Sequence, residues 1–164
     1  MLPICGPTIT GHENGRVEPV LMQRREIQVR LGATRDRKAI AACDPRVASD
    51  LHRRELIDAA IAARHCWVAE HNSVVCGYGI LTMNFFGRPF VELLYVAEGA
   101  RRKGAGDTVL AAIEHARHED RLFTSTNESN APMRALLERR GYQPSGTITN
   151  LDPGDPELVF VKFL

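Results

Sequence analysis

The 164-residue sequence has no C-x-x-C pair; its four cysteines, Cys5, Cys43, Cys66 and Cys76, lie far apart. That spacing argues against a zinc ribbon, a thioredoxin-type site and a disulfide framework, and fits a reducing compartment. The sequence also lacks any apolar run approaching the ~20 residues of a membrane span, so no membrane partner is expected. Its first residues carry no basic stretch and are broken by Pro3, Gly6 and Pro7, which does not read as a signal peptide; a cytoplasmic location is expected. An excess of one charge is missing too. The net charge of +1 offers no field for nucleic acid or anionic lipid, so a phosphate would have to be held locally, in a turn. There is no G-x-S-x-G elbow for a serine hydrolase, no internal repeat and no low-complexity tract. His115 and His118 have no third ligand in view, so they read as a solvated helix face and no metal is expected.

The length and the apolar and charged fractions suit one globular domain, placed at 26–164, behind a mobile tail at 1–25 that mixes Pro, Gly and polar residues without period. The domain begins with a strand, Ile27 to Leu31. Helical sequence follows, capped by Thr34 or Asp36, broken at Asp44-Pro45 and resumed to Arg64 as a second helix that carries Leu56, Ala59, Ala60 and Ala63 on its packing stripe. Cys66–His71 and Val74–Met83 form a hairpin about Asn72-Ser73, and after a turn at Gly87-Arg88-Pro89 comes the apolar strand Phe90–Val96, interrupted by Glu92. Gly104 to about His118 is an amphipathic helix and Leu122–Thr126 a strand, so strand, helix and strand make a parallel crossover. Asn130 and Pro132 start another helix, which Gly141 stops. Two strands, Tyr142–Thr149 and Glu157–Phe163, flank the turn-rich 150–156.

The segment Arg101-Arg102-Lys103-Gly104-Ala105-Gly106 lies between a strand and a helix. Such a junction aims free backbone N–H groups and the helix dipole at an anion, while Gly104 and Gly106 permit close approach and the basic triplet adds charge. Equally, two glycines can merely open a helix behind a solvated basic loop. Other phosphate loops fit worse. No Gly-Lys-Ser/Thr follows four spacers, and a dinucleotide fingerprint needs a third glycine where Val109 stands and an acid that Glu128 matches badly.

With R-x-x-G-x-G matched by Arg101, Gly104 and Gly106, and an Asn-led helix ending in Gly141-Tyr142, the sequence from Ile27 to Leu164 resembles the GNAT superfamily of N-acetyltransferases. The resemblance implies an α/β (α+β type) fold: a mixed, mostly antiparallel sheet of about six to seven strands with a central, splayed parallel pair, flanked by about four helices. It implies acetyl-CoA as co-substrate and an unidentified amine as acceptor; a homodimer stays open. By resemblance Leu94, Tyr95 and Val96 line the pantetheine arm. The pyrophosphate falls to Arg101, Arg102, Lys103, Gly104, Ala105, Gly106 and Asp107. Asn130 stands beside the pantetheine and adenine portion, although an N-cap asparagine needs no ligand to explain it.

An attacking amine with a pKa near ~10.4 needs a base. Glu92 is the candidate, four residues before Val96, where relatives with a carboxylate base carry it; desolvated there, its pKa would rise. It could instead face solvent or pair with Arg88. The two-residue period puts Glu92, Leu94 and Val96 on one face. Where the family places a tyrosine acid, seven residues after the asparagine, Leu137 stands, which leaves Tyr142, Tyr95 or water as proton donor. The resemblance puts the acceptor between 43–51 and 150–157, where Asp152, Asp155 and Glu157 either attract a cation or simply build a turn. The leading function is acetyl transfer to a primary amine of a small molecule or protein by direct attack. A non-catalytic acyl-CoA-binding or sensing domain is the alternative, and a nucleotide-binding fold of another kind a third.

Overall fold

A computed structural model of the chain describes residues 27–164. Cys5 and the tail assigned to 1–25 lie outside the described residues. The elements run β1 (Gln28–Leu31), a 3-10 turn (Thr34–Asp36), α1 (Arg37–Cys43), α2 (Arg46–Ser49), α3 (Leu51–Ala62), β2 (Cys66–His71), β3 (Val74–Phe85) and β4 (Arg88–Val96). A second 3-10 turn (Glu98–Ala100) leads to α4 (Ala105–His115), β5 (Arg121–Asn127), α5 (Ala131–Arg139), β6 (Gln143–Ile148) and β7 (Glu157–Phe163). One seven-stranded sheet has the order β1-β2-β3-β4-β5-β7-β6, antiparallel except between β4 and β5. The expected mixed sheet is present, with five α-helices rather than about four, because Asp44-Pro45 sets off the single turn α2 between α1 and α3.

Two hydrophobic cores sandwich the sheet. On one face α4 and α5 bury Val109, Leu110, Ile113 and Leu137 against Trp67, Leu81, Val91 and Leu122. On the other, α1–α3 bury Ile40, Val47, Ile57 and Ile61 against Val68, Tyr78 and Ile80. Alternation along β3, Ile80 to one face and Leu81 to the other, is the two-residue period of a strand packed on both sides. The buried stripe of α3 is Ile57, Ala60 and Ile61, with Arg53 and Leu56 half-buried beside it and Ala59 and Ala63 exposed. This corrects the stripe expected from sequence, because Ile57 and Ile61 bury more apolar surface than the alanines.

Both hairpin turns follow from backbone handedness. Asn72 and Ser73 have φ of 55° and 62°, and Phe86 and Gly87 have 52° and 71°, so each is a tight two-residue turn with left-handed central residues. The second turn is therefore Phe86-Gly87, and Arg88 and Pro89 already belong to β4. Asn130 caps α5, its Oδ1 accepting from Met133 N–H at 3.3 Å, and Gly141 takes φ 80° past the helix end.

Candidate active site

Three features build the site around the end of β4. First, β4 and β5 share only two register pairs, Phe90 with Phe123 and Val91 with Thr124. The Thr124 hydroxyl donates to the Val91 carbonyl at 3.0 Å, the last link before the strands part. Beyond it Glu92–Val96 runs with β3 on one side and no strand on the other. Such an edge offers backbone N–H and C=O groups to an extended ligand.

Second, the β4–α4 connection is shaped as an anion cradle. Arg102 and Gly104 adopt φ of 61° and 91°, two left-handed residues in one tight connection that follows the extended Arg101. The first helical bond runs from Thr108 N–H to Gly104 C=O at 2.9 Å, and among the described residues no acceptor takes up the N–H groups from Arg102 to Asp107. The α4 dipole adds its positive end at the same point. Arg101, Arg102 and Lys103 are exposed around it, and Arg101 Nε donates to the Val96 carbonyl at 3.2 Å, tying the loop to the strand. Gly106 lies where three elements meet: a Cβ there would stand 3.4 Å from Leu136, 3.6 Å from Val96 and 3.7 Å from Leu94.

Third, Glu92 is the extra residue of a β-bulge. Ile80 pairs with Leu93 while its neighbour Leu81 pairs with Val91, so Glu92 has no partner on β3. The bulge interrupts the two-residue alternation, which corrects the expectation that Glu92, Leu94 and Val96 share one face. Leu94 and Val96 pack with the α4–α5 core, whereas Leu93 and Tyr95 pack with the α1–α3 core. Glu92 joins the second face, where it accepts from the Thr82 hydroxyl at 2.8 Å. It is exposed, so the burial expected for it is not seen; Arg88 pairs with Asp120 at 3.7 Å instead of with Glu92.

The remaining sequence candidates separate cleanly. Asn130 spends its amide inside the protein, its Nδ2 donating to Thr126 Oγ1 at 2.9 Å while Oδ1 caps α5. Leu137 is fully buried in the α4–α5 core. Tyr142 is buried with it; its hydroxyl makes no hydrogen bond, and burial followed by the nearby Glu114 carboxylate raises its pKa. Tyr142 is thus closed to solvent, while Tyr95 is half-exposed. Asp152 accepts from Asn127 Nδ2 at 2.9 Å, and Asp155 accepts from the Ser129 hydroxyl at 2.6 Å and its N–H at 2.9 Å, so the two carboxylates fasten the 150–156 connection to the end of β5 and to the turn that follows it. The Ser129 contacts hold the Asp155 carboxyl below the usual range. Among the described residues no group of three or more His, Cys, Asp or Glu is arranged to hold a metal ion, and no helix is long and apolar enough to cross a membrane.

Two buried polar clusters carry no local sequence signal. Glu114 of α4 takes Arg140 through Nε at 2.9 Å and Nη2 at 2.6 Å, and Lys162 at 2.7 Å. Asp44, fully buried, takes the Tyr78 hydroxyl at 2.6 Å and Arg53 Nε at 2.6 Å.

Residues 37–142 match the acetyltransferase (GNAT) family. The chain belongs to that family. It is an acyltransferase by that membership, and the single parallel pair of β4 and β5 is part of the fold the resemblance implied. A GNAT-family acetyltransferase from Bacillus cereus ATCC 10987 is similar over 84% of this chain and 96% of its own, at 29% identity and a TM-score of 0.78. The ribosomal-protein-alanine N-acetyltransferase from Brucella melitensis shares the fold at 24% identity and TM-score 0.69, over 84% of this chain and 99% of its own. So does yncA from Salmonella typhimurium, solved with its cofactor acetyl-CoA, at 20% identity and TM-score 0.68, over 84% and 94%. No curated protein matches the sequence.

Proposed function

We propose that the protein transfers the acetyl group of acetyl-CoA to a primary amine of a small molecule or protein by direct attack in a ternary complex. The observation that carries this reading is the row of open N–H groups from Arg102 to Asp107 at the end of a strand that has left its parallel neighbour. These groups receive the pyrophosphate, with Arg101, Arg102 and Lys103 supplying charge at the rim. The free edge at Leu94, Tyr95 and Val96 receives the pantetheine arm, as an added strand would be received. The solved complex of yncA with acetyl-CoA supports the same use of the shared fold. Asn130 borders this path as a cap and shapes the start of α5.

The amine must shed a proton before it attacks, which at pH 7 costs ~4–5 kcal/mol for a pKa of ~10.4. Glu92 takes that proton, directly or through one water. Its carboxylate is open to solvent on the α1–α3 face and oriented by Thr82. The nitrogen lone pair forms the new bond to the thioester carbon, the carbonyl π electrons move to oxygen, the now cationic nitrogen gives up its second proton to water, and collapse expels CoA thiolate. With Leu137 and Tyr142 both closed off, the thiolate takes its proton from water, which carries the one shed by nitrogen, or from the half-exposed Tyr95.

The test is a thiol-release assay with acetyl-CoA over polyamines, aminoglycosides, amino acids and peptide amino termini. Acetylated product is expected with at least one class, and Glu92→Gln should lower kcat by ~100-fold or more with acetyl-CoA affinity unchanged. Activity that survives Glu92→Gln intact removes Glu92 as base. Saturable acetyl-CoA binding without product from any amine would favour the acyl-CoA-binding alternative.

A further inference from the structure

Arg53 is the one residue of α3 that is both charged and turned into the α1–α3 core, and its surroundings fix its direction. Its Nε donates to Asp44 Oδ2 at 2.6 Å and to the Tyr78 hydroxyl at 3.2 Å, and its guanidinium carbon lies 5.6 Å from the centre of the Tyr95 ring. The Tyr78 and Tyr95 rings are themselves 5.9 Å apart. Its side chain is 12% exposed and that of Asp44 0%, so the guanidinium is held between a buried carboxylate and an aromatic floor. The two Nη groups are left over. Among the described residues no acceptor engages them, whereas the neighbouring Arg54 spends its Nη1 on the carbonyls of Val47 and Ala48. Arg53 thus presents a pre-aligned pair of N–H donors, the geometry that binds a planar anion in two parallel hydrogen bonds.

The position matters as much as the geometry. Tyr95 stands between Leu94 and Val96 on the free part of β4, but points to the face opposite α4, the same face as Leu93 and Glu92. With acetyl-CoA laid along Leu94–Val96 as proposed above, an acceptor that approaches the thioester from that face comes up beside Tyr95 and hence beside Arg53. Asp44 offsets the guanidinium charge, so the pair suits a flat monoanion better than a doubly charged phosphate.

We propose that Arg53, held by Asp44 and Tyr78, is an acceptor-binding residue, and that the amine acetylated here belongs to a small molecule carrying a carboxylate, an amino-acid-like acceptor. This rests on the acetyl-transfer reading above.

The experiment compares α- and ω-amino acids with their C-terminal amides as acceptors for acetyl-CoA. In parallel, the N-acetylated acids and amides are titrated onto the CoA-bound protein. Free carboxylates should be preferred at least tenfold in kcat/KM and in product affinity. Arg53→Lys keeps a cation beside Asp44 and so preserves the fold, but lacks the fork. It should raise KM for the acids at least tenfold and leave the amides and the KM for acetyl-CoA unchanged. Amides or amide-capped peptides used as well as the acids, or a preference that survives Arg53→Lys, would overturn the assignment. If no amine is acetylated while acetyl-CoA binds, the transfer reading fails. The titrations then still decide Arg53: equal affinity for N-acetylated acids and amides rules the anion site out.

Discussion

Arg140 joins the far end of α5 to the first turn of α4: its Nη1 donates to Asp107 Oδ1 at 3.1 Å while Nε and Nη2 grip Glu114, about two turns further along the same helical face. Asp107 stands in the N–H cradle, where a bare carboxylate would repel a phosphate, and the guanidinium offsets that charge. The Glu114 and Arg140 side chains are only 9% and 16% exposed, so the pair counts as a buried one.

Removing Arg140 should therefore act twice. Arg140→Ala leaves Glu114 with Lys162 alone, and breaking a buried pair costs about 3 kcal/mol. For a chain of this size that lowers Tm by about 6–12 °C. Acetyl-CoA affinity should fall as well, because Asp107 is released beside the cradle. Thermal denaturation and calorimetry check the two effects separately.

Acid should undo the same cluster. Burial works against the Glu114 charge, yet the hydrogen bonds from Arg140 and Lys162 outweigh it and hold the carboxyl below its ordinary 4.5. Asp36 is likewise held below 3.8, chiefly by its hydrogen bond from Arg30 and against the cost of burial. A depressed folded-state pKa contributes stability that is present above the unfolded value and is lost as pH falls through the folded one. Tm should thus be level above about pH 5 and decline below about 4.5. In Glu114→Gln that decline should be shallower, from a lower starting Tm.

The two glycines of the loop should respond differently to alanine. Gly104 has φ 91°, so Gly104→Ala is strained by ~1–2 kcal/mol and should misdirect the N–H groups, weakening acetyl-CoA binding at least tenfold. Gly106 is helical, and an added Cβ meets its neighbours at 3.4 Å or more. Gly106→Ala should keep stability within about 1 kcal/mol of wild type, with Tm little changed. Tm and calorimetric titration of both variants separate strain from lost affinity.

Restoring the family's usual tyrosine should not help. Leu137 is fully buried among the residues of the α4–α5 core, and Leu137→Tyr adds ring and hydroxyl to a packed site, costing about 1–3 kcal/mol. The expected result is a lower Tm with no gain in kcat. A rise in kcat would instead mean that the new hydroxyl reaches the departing sulfur.

What the sequence revealed and what it hid divide along the range of the interaction. The hairpin at Asn72-Ser73, the cap at Asn130, the stop at Gly141 and the loop at Gly104 are written in a few adjacent residues, because each reports a local backbone demand. The bulge at Glu92 is not, since it arises from register between β3 and β4, and it moved Glu92 to the face opposite Leu94 and Val96. The Glu114 cluster joins residues 26 and 48 positions apart, and Asp44 meets Tyr78 across 34. Such contacts leave no periodic trace. Arg53, charged and outside the apolar stripe of α3, nonetheless lies beside the buried side chains because Asp44 and Tyr78 compensate it there. Exposed Glu92 shows the converse: an acid in an apolar run reads as buried, yet a bulge can swing it out to water.

The central claim is that the open N–H groups after β4 hold the cofactor, and a crystal structure of the protein with acetyl-CoA tests it most directly. The pyrophosphate oxygens should lie within hydrogen-bonding distance of backbone N–H groups between Arg102 and Asp107, with the pantetheine along Leu94–Val96 and the thioester reachable from the face of Glu92 and Arg53. Acetyl-CoA bound elsewhere, or bound with those N–H groups turned away from the phosphates, would contradict it.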